Sequence, residues 1–261
     1  MKTLDGKELA GFIKERQATM VRSLRAEGIL PELVIIRDSD NPVITKYVRL
    51  KQAYGEDIGV AVSDVFAKDI REAILEANED NSVSGIIVQL PISDVSKTDE
   101  LVSLIAPEKD VDGLTQKGPI DSATATAINW LLTGYDIKLL NKKIALVGRG
   151  RLVGAPLYRM FKDSGLDVSV FGHDSDLKNL RDFDVVISAT GVPGLIKSEM
   201  ISPGAVLVDA GTASEGGKLI GDVSPEVLER ADLAAATPPV GGVGPLTVAA
   251  LFDNVLRAAR V

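Results

Sequence analysis

The segment YVRLK, residues 47–51, sets Tyr47 and Lys51 four positions apart. On a helix that spacing stands one above the other on a single face. Leu50 and Tyr54 complete an i, i+3, i+4, i+7 stripe, and an apolar stripe of that period is expected to face the interior. An ammonium held in such a stripe loses hydration. Its pKa then falls toward the range in which an amine accepts a proton near neutral pH. The competing reading is that Lys51 snorkels, burying its aliphatic stem and keeping its charge in water.

A second stretch with chemical potential is GRGRLVGAP. Gly148, Gly150 and Gly154 follow the aliphatic run KKIALV and open a helical pattern with Pro156 in its first turn, where a missing N–H costs nothing. Glycines let a backbone approach a pyrophosphate, and the free N–H groups of a helix start hold it. The spacing, G-x-G-x-x-x-G, is one residue longer than the commonest dinucleotide fingerprint, and a tight turn without a ligand is the alternative. Strand-like runs at LDVSVFG, FDVVISAT and AVLVDAG supply the sheet that a nucleotide site requires. Asp174, about 26 residues beyond Gly148, suits the ribose hydroxyls of NAD, whereas Arg149 and Arg151 suit the extra phosphate of NADP. Both choices stay open, because each of these charges also reads as a solvated loop residue.

The elements that position these residues follow from periodicity. Residues 6–27 place Leu9, Phe12, Ile13, Met20 and Leu24 on one helical face and stop at Gly28. ELVIIRD reads as a buried strand, the Tyr47–Lys51 helix follows, and then come a strand in VAVSDVFA, a helix in KDIREAILEANED and a strand in SGIIVQLPI ended by Pro91. This β-α-β-α-β rhythm implies a parallel sheet covered by helices. APEKDVDGLTQKGPI, rich in Pro, Gly and charge, reads as irregular surface structure, and SATATAINWLL as a helix.

Composition excludes several classes of function. The chain has 261 residues, 45% of them hydrophobic, a net charge of −8, no cysteine and one histidine, His173. That length suits one or two domains. The acidic balance and the lack of a basic run argue against nucleic acid as a partner. Disulfides, thiolate nucleophiles and a Cys- or His-rich metal site are excluded, and no metal is expected. MKTLDGKELAGFIKER lacks the apolar core of a signal peptide, and no apolar run approaches the roughly 18 residues of a membrane span. A cytoplasmic protein without a membrane partner is expected.

YVRLK, GIIVQLPI, PEKDVDG, GRGRLVGAP and TPPVGGVGPLT occur in the order, and nearly the spacing, of the bifunctional methylenetetrahydrofolate dehydrogenase/methenyltetrahydrofolate cyclohydrolase family. The resemblance spans almost the whole chain. It implies oxidation of 5,10-methylenetetrahydrofolate with NADP, or alternatively NAD, and hydrolysis of the methenyl product to 10-formyltetrahydrofolate. Such an enzyme serves one-carbon metabolism and purine biosynthesis, with tetrahydrofolate derivatives as partners and a homodimer joined through the nucleotide-binding domain. By similarity Lys51 is the catalytic lysine, Tyr47 packs on the folate, Gln89 orients the lysine and Asp112 binds the pterin. Leu90, Pro91, Gly241, Gly242 and Pro245 join the substrate site. Gly148, Arg149, Gly150, Val153, Gly154, His173, Asp174, Ala189, Thr190, Gly191 and Thr247 form the cofactor site. Read singly, Gln89 satisfies backbone groups, Asp112 is a turn acid in an Asp-Gly pair, and Gly241, Gly242 and Gly244 serve unusual backbone angles.

The implied fold class is α/β, with two domains and an interdomain cleft. An N-terminal α/β substrate domain covers residues 1–121 with a returning C-terminal helix at 247–261, and a Rossmann-type parallel-sheet nucleotide-binding domain covers 122–246. The chain departs from the family pattern at Ile44, where Ser is usual and folate lies close, and at Ser122–Ala125, where Pro-Cys-Thr-Pro is usual. It departs again at Gly150, usually Ser, at the usual His-Ser pair, which is replaced by Gly172-His173 or displaced by one residue to His173-Asp174, and in the Pro239-Val240 order; TASEGGKLIGDV is a trimmed loop. Two alternatives accompany the folate reading: a two-domain nicotinamide enzyme similar to shikimate dehydrogenase, and a folate- or nucleotide-binding homologue without catalysis.

Overall fold

The computed structural model describes residues 1–115, 118–211, 213–215 and 218–260. The first half of the chain runs β1 (Lys2–Thr3), α1 (Gly6–Ala26), β2 (Glu32–Arg37), α2 (Pro42–Ile58), β3 (Ala61–Phe66), α3 (Ile70–Glu79), β4 (Gly85–Val88), α4 (Thr98–Val102) and α5 (Ala123–Gly134). The second half runs β5 (Lys143–Val147), α6 (Gly154–Asp163), β6 (Asp167–Phe171), β7 (Val185–Ser188), β8 (Val206–Asp209), β9 (Ala213–Glu215), β10 (Lys218–Ile220), α7 (Pro225–Leu228), β11 (Ala235–Ala236) and α8 (Val243–Ala258). The chain divides into two compact units, one of Gly11–Ala123 with Val248–Val261, the other of Met1–Ala10 with Thr124–Thr247.

In the first unit β2 lies between β3 and β4, and both pairings are parallel. Parallel neighbours need a crossover, and α2 and α3 supply the two that the sequence rhythm requires. The apolar runs of β2 and β4 are buried, as in strands covered on both faces. Their side chains pack with Ile70, Ile74, Val102 and Ile105. The second unit is built on a parallel sheet ordered β1-β11-β8-β7-β5-β6. The order reverses at β5, which has β6 on one side and β7 on the other. Nucleotides bind beyond the carboxyl ends of strands at such a switch point. β9 and β10 pair antiparallel within TASEGGKLIGDV, of which Thr212, Gly216 and Gly217 lie outside the described residues.

α2 has well-marked ends. Asn41 Oδ1 accepts the Val43 N–H at 2.9 Å, Pro42 starts the helix, and Gly59 ends it at φ 86°, donating its N–H to Gly55 O at 2.8 Å. Its buried residues are Ile44, Val48, Gly55 and Ile58, and Lys51 falls on the same line. This corrects the expected stripe: Leu50 is 49% exposed. Two adjacent stripes on this helix satisfy the i, i+3, i+4 rule, and the one carrying β-branched residues is turned inward.

Other expectations need similar correction. Phe12 on α1 is 66% exposed, because the buried side of that helix runs through Ala10, Gln17, Val21 and Leu24. Met1–Ala10 belong to the nucleotide-type unit rather than to a 1–121 domain, since Lys2 and Thr3 pair with Ala235 and Ala236 and Leu4 is fully buried. PEKDVDG is irregular but not superficial. Asp110, Val111 and Leu114 are buried, and Ile86 donates its N–H to Lys109 O at 2.8 Å.

A Cβ at Gly55 would stand 2.4 Å from Val62 Cγ2 and 2.9 Å from Val60 O, so α2 meets β3 closely there. Gly55→Ala is therefore expected to lower the unfolding free energy by about 1–3 kcal/mol. Guanidinium titration followed by circular dichroism measures this, and an unchanged midpoint would mean that β3 shifts to admit the methyl group.

Candidate active site

Lys51, midway along α2, meets Gln89, the residue that follows β4. Lys51 Nζ donates to Gln89 Oε1 at 2.7 Å, and Gln89 Nε2 donates to Leu90 O at 3.1 Å. The second bond fixes which end of the amide faces the lysine. Burial lowers the Lys51 pKa, and the Asp112 charge acts in the opposite direction. Burial likewise raises the Asp112 carboxyl to about 6, with Lys51 pulling it down and Asp110 pushing it up. The snorkelling alternative does not hold, because this ammonium is enclosed even though part of the side chain is accessible. Tyr47 lies one turn before Lys51 and is half-buried. Leu90 and Pro91, joined by a cis peptide, follow Gln89 directly.

The loop bearing Asp112 is pinned from several sides. Asp110 accepts the N–H groups of Leu114 at 3.2 Å and Thr115 at 2.7 Å, together with the Thr115 hydroxyl at 2.7 Å. Gly113 has φ 68°, and a Cβ there would lie 2.5 Å from Ser122 N. Asn254 on α8 donates to Val111 O at 2.9 Å and Asp121 O at 3.1 Å. Tyr54, on the Lys51 helix, donates to Gln17 Oε1 at 2.8 Å and stacks on Phe252 with centroids 5.0 Å apart. Gln17 also donates to Ala249 O at 2.8 Å, so α1, α2 and α8 are tied by one buried amide.

The candidate cofactor residues occupy the switch point of the other sheet. Gly148 has φ 95°, and a Cβ there would lie 2.7 Å from Ala189 O; one at Gly154 would lie 2.2 Å from Gly148 O. The glycine turn thus folds tightly against the end of β7, as the dinucleotide reading requires. A Cβ at Gly150 would meet nothing within 4 Å, which leaves backbone open to a phosphate. Val153 precedes α6 without a side-chain cap. The Arg149 guanidinium lies over the Tyr158 ring, 5.4 Å from its centroid. His173 and Asp174 are fully exposed beyond β6, 3.2 Å apart. Asp222, which sequence reasoning missed, accepts the Ser188 hydroxyl and the Thr190 N–H, each at 2.7 Å, and so shapes the Ala189-Thr190-Gly191 turn.

The expected substrate residues divide between the units. Tyr47, Lys51, Gln89, Leu90, Pro91 and Asp112 belong to one, and Gly241, Gly242, Pro245 and the cofactor candidate Thr247 to the other. Gly241, at φ 93°, accepts the Gly6 N–H at 2.9 Å, and Pro245 and Thr247 lie in the first turns of α8. Gln17, Asp110, Asn254 and Asp222 were not singled out by sequence. A polar residue on an apolar helical stripe was the available signal for Gln17 and Asn254.

The Asp112 shift has a consequence for stability. The ordinary Asp pKa is about 3.9, so between about pH 4 and 6 the folded chain keeps a proton that the unfolded chain has released. Stability owed to this group therefore falls as pH rises through that window. Urea titrations at pH 4, 5, 6 and 7 should show wild type losing stability relative to Asp112→Asn up to about pH 6, and no further change above it. A constant difference across the series would contradict the raised pKa.

Comparison with known proteins agrees with this geometry. Residues 4–112 match the model of the tetrahydrofolate dehydrogenase/cyclohydrolase catalytic domain, and residues 122–261 match that of the family's NAD(P)-binding domain. The bifunctional protein FolD of Lactobacillus helveticus is 37% identical over 99% of this chain and 98% of its own. The crystal structure of the FolD methylenetetrahydrofolate dehydrogenase/cyclohydrolase from Campylobacter jejuni superposes with a TM-score of 0.92 at 32% identity, covering 100% of this chain and 99% of that one. The Trypanosoma brucei enzyme, solved with NADP and an inhibitor, gives 0.89 at 29% identity over 99% and 97%. With both halves matched in order and the lysine, glutamine and aspartate assembled in one unit, the chain belongs to the tetrahydrofolate dehydrogenase/cyclohydrolase family.

Proposed function

We propose that this protein oxidises 5,10-methylenetetrahydrofolate to the methenyl form and hydrolyses that product to 10-formyltetrahydrofolate. One observation carries the reading: a desolvated lysine, Lys51, donating to Gln89 and sharing its field with the carboxyl of Asp112. Family membership favours the folate reading over the alternative similar to shikimate dehydrogenase. The intact trio argues against a binding protein without catalysis.

In hydrolysis, water forms a C–O bond to the methenyl carbon, the bond from that carbon to N5 breaks, N5 gains one of the water protons, and the other is released to solvent as the formyl C=O forms. Lys51 serves both ends of this change. Its lowered pKa makes the amine available to take a proton from the attacking water, and the resulting ammonium returns one to N5. Gln89, held by its bond to Leu90 O, accepts from the lysine and sets the direction of Nζ. Asp112, ionised above about pH 6, offers a carboxylate to the N–H groups of the pterin. Tyr47 provides a ring face for the substrate one helical turn away.

The glycine turn at Gly148, Gly150 and Gly154, with Arg149, Val153, Ala189, Thr190, Gly191 and Thr247, would hold the dinucleotide, and its tight, open backbone fits such a group. When bound, the nicotinamide supplies the acceptor for the hydride leaving the methylene carbon. NADP is the proposed cofactor and NAD the alternative. Arg149 and Arg151 favour the first, and the exposed Asp174 favours the second. A homodimer joined through the nucleotide-binding unit and a cytoplasmic location complete the reading.

Absorbance-monitored turnover of methylenetetrahydrofolate with NADP and with NAD, followed by methenyl hydrolysis, tests the assignment. Lys51→Met should lower hydrolysis at least a hundredfold, given the usual contribution of a positioned acid–base group, while cofactor binding persists. Hydrolysis near the wild-type rate would remove Lys51 from the mechanism. Asp174→Ser should shift the NAD:NADP ratio of kcat/KM toward NADP, and an unchanged ratio would make Asp174 a solvated loop acid.

A further inference from the structure

The loop that presents Asp112 carries a second aspartate that the two reactions above do not use. Asp110 is 2% exposed, and a buried carboxylate is tolerable only when donors surround it. One of its oxygens accepts the Leu114 N–H at 3.2 Å, and the other accepts the Thr115 N–H and hydroxyl, each at 2.7 Å. These bonds reach across residues 111–113, so a single side chain spans the turn on which Asp112 stands. The backbone on either side is anchored as well: Ile86 donates its N–H to Lys109 O at 2.8 Å, Asn254 donates to Val111 O at 2.9 Å, and Ala123 donates its N–H to Asp112 O at 3.4 Å. Asp112 is the opposite case. Among the described residues no donor bonds its carboxylate. The two acids have therefore divided their tasks: the lone pairs of Asp110 are spent on the turn, and those of Asp112 are left for a ligand.

With no bond on its own side chain, Asp112 inherits its placement from that turn. We propose that Asp110 is a positioning residue for the pterin contact, its carboxylate holding the turn that delivers Asp112 to the ring. This rests on the folate reading of the site. A second consequence is electrostatic. Burial pushes the Asp112 carboxyl up most, Lys51 on α2 pulls it down, and the Asp110 charge pushes it up again. The other elements that meet the turn do so through uncharged groups: the Ile86 backbone of β4, the Ala123 N–H of α5 and the Asn254 amide of α8. Asp253 on α8 is paired with Arg16. Removing the charge at residue 110 therefore lets Asp112 ionise at lower pH.

The experiment uses Asp110→Asn, which keeps the shape but removes the charge and one acceptor, and Thr115→Val, which removes one donor and leaves the carboxylate. Methenyl hydrolysis is followed above pH 7, where Asp112, at about 6, is ionised. A displaced Asp112 weakens ground state and transition state alike, so KM should rise about tenfold in Asp110→Asn and about two- to fivefold in Thr115→Val, with kcat little changed. The dissociation constant of 5-formyltetrahydrofolate between pH 5 and 8 supplies a readout that loss of packing would not move. In wild type, binding should strengthen as pH rises through about 6. The same rise should come at lower pH in Asp110→Asn and stay in place in Thr115→Val. An unchanged KM in both variants, a fall in kcat as large as the rise in KM, or a rise in binding at the wild-type pH in Asp110→Asn would overturn the positioning role and leave the folate assignment standing. Should Asp110→Asn fail to fold, KM in Thr115→Val decides. Failure of wild type to hydrolyse the methenyl substrate would overturn both.

Discussion

The arrangement around Lys51 turns on keeping one ammonium out of water. Lys51 lies on the line of α2 that also carries Ile44, Val48, Gly55 and Ile58. Placing a full charge on a core-facing stripe is costly, and the cost falls when the group is hydrogen-bonded and faced by an opposite charge. Gln89 provides the bond and Asp112 the charge. Desolvation moves the lysine and the aspartate toward their neutral forms, while each partly restores the other's charge. This opposition leaves an amine whose pKa lies below its ordinary value and a carboxyl raised to about 6.

Rigidity around that pair comes from buried polar groups spent on backbone and helix ends. Asp110 satisfies three donors of the loop that presents Asp112, Asn254 holds two of its carbonyl oxygens, and Lys109 donates to the carbonyls of Ala77, Asn78 and Asp80 at the C-terminal end of α3. The nucleotide-type unit follows the same logic. Asp222 joins Ser188 to Thr190, and Asp209 accepts the N–H groups of Gly211, Asp222 and Val223. Burial raises the Asp209 pKa, against the effect of those N–H bonds. Glycine is required nearby, since a Cβ at Gly221 would lie 2.0 Å from Asp209 Oδ2.

The parallel sheets were legible because their strands are unbroken apolar runs separated by amphipathic helices, a pattern with few other solutions. Lys51, Gln89 and Asp112 were legible through the ordered motifs around them, although no local rule places residues 51, 89 and 112 together. The face of α2 was harder to read. Tyr47, Leu50, Lys51 and Tyr54 and the true buried line through Ile44, Val48 and Ile58 are adjacent stripes, and hydrophobicity alone does not choose between them. Only packing against β3 decides. The pairing of β1 with β11 joins residues more than two hundred positions apart, and a two-residue strand leaves no periodic trace. Asp110 and Asp222 were hidden for a related reason: short-range sequence shows a loop acid, whereas its importance lies in the distant N–H groups it accepts.

The departures from the family pattern acquire physical meaning once placed. Ile44 is 4% exposed and packs inward, so it acts on the seating of α2 and not on a ligand. Ser122, Ala123 and Ala125 are buried at the start of α5, where small side chains fit without a proline. Gly150 stands in open space, where a larger side chain is sterically admissible and its loss removes a potential donor without disturbing the turn. The departures thus fall on packing positions or on vacant surface, while Lys51, Gln89 and Asp112 keep their hydrogen bond and opposed charges. Substitution is cheap where neighbours can repack around an apolar contact. It is costly where removing one partner strands a buried charge, and Lys51, Gln89 and Asp112 form that kind of set.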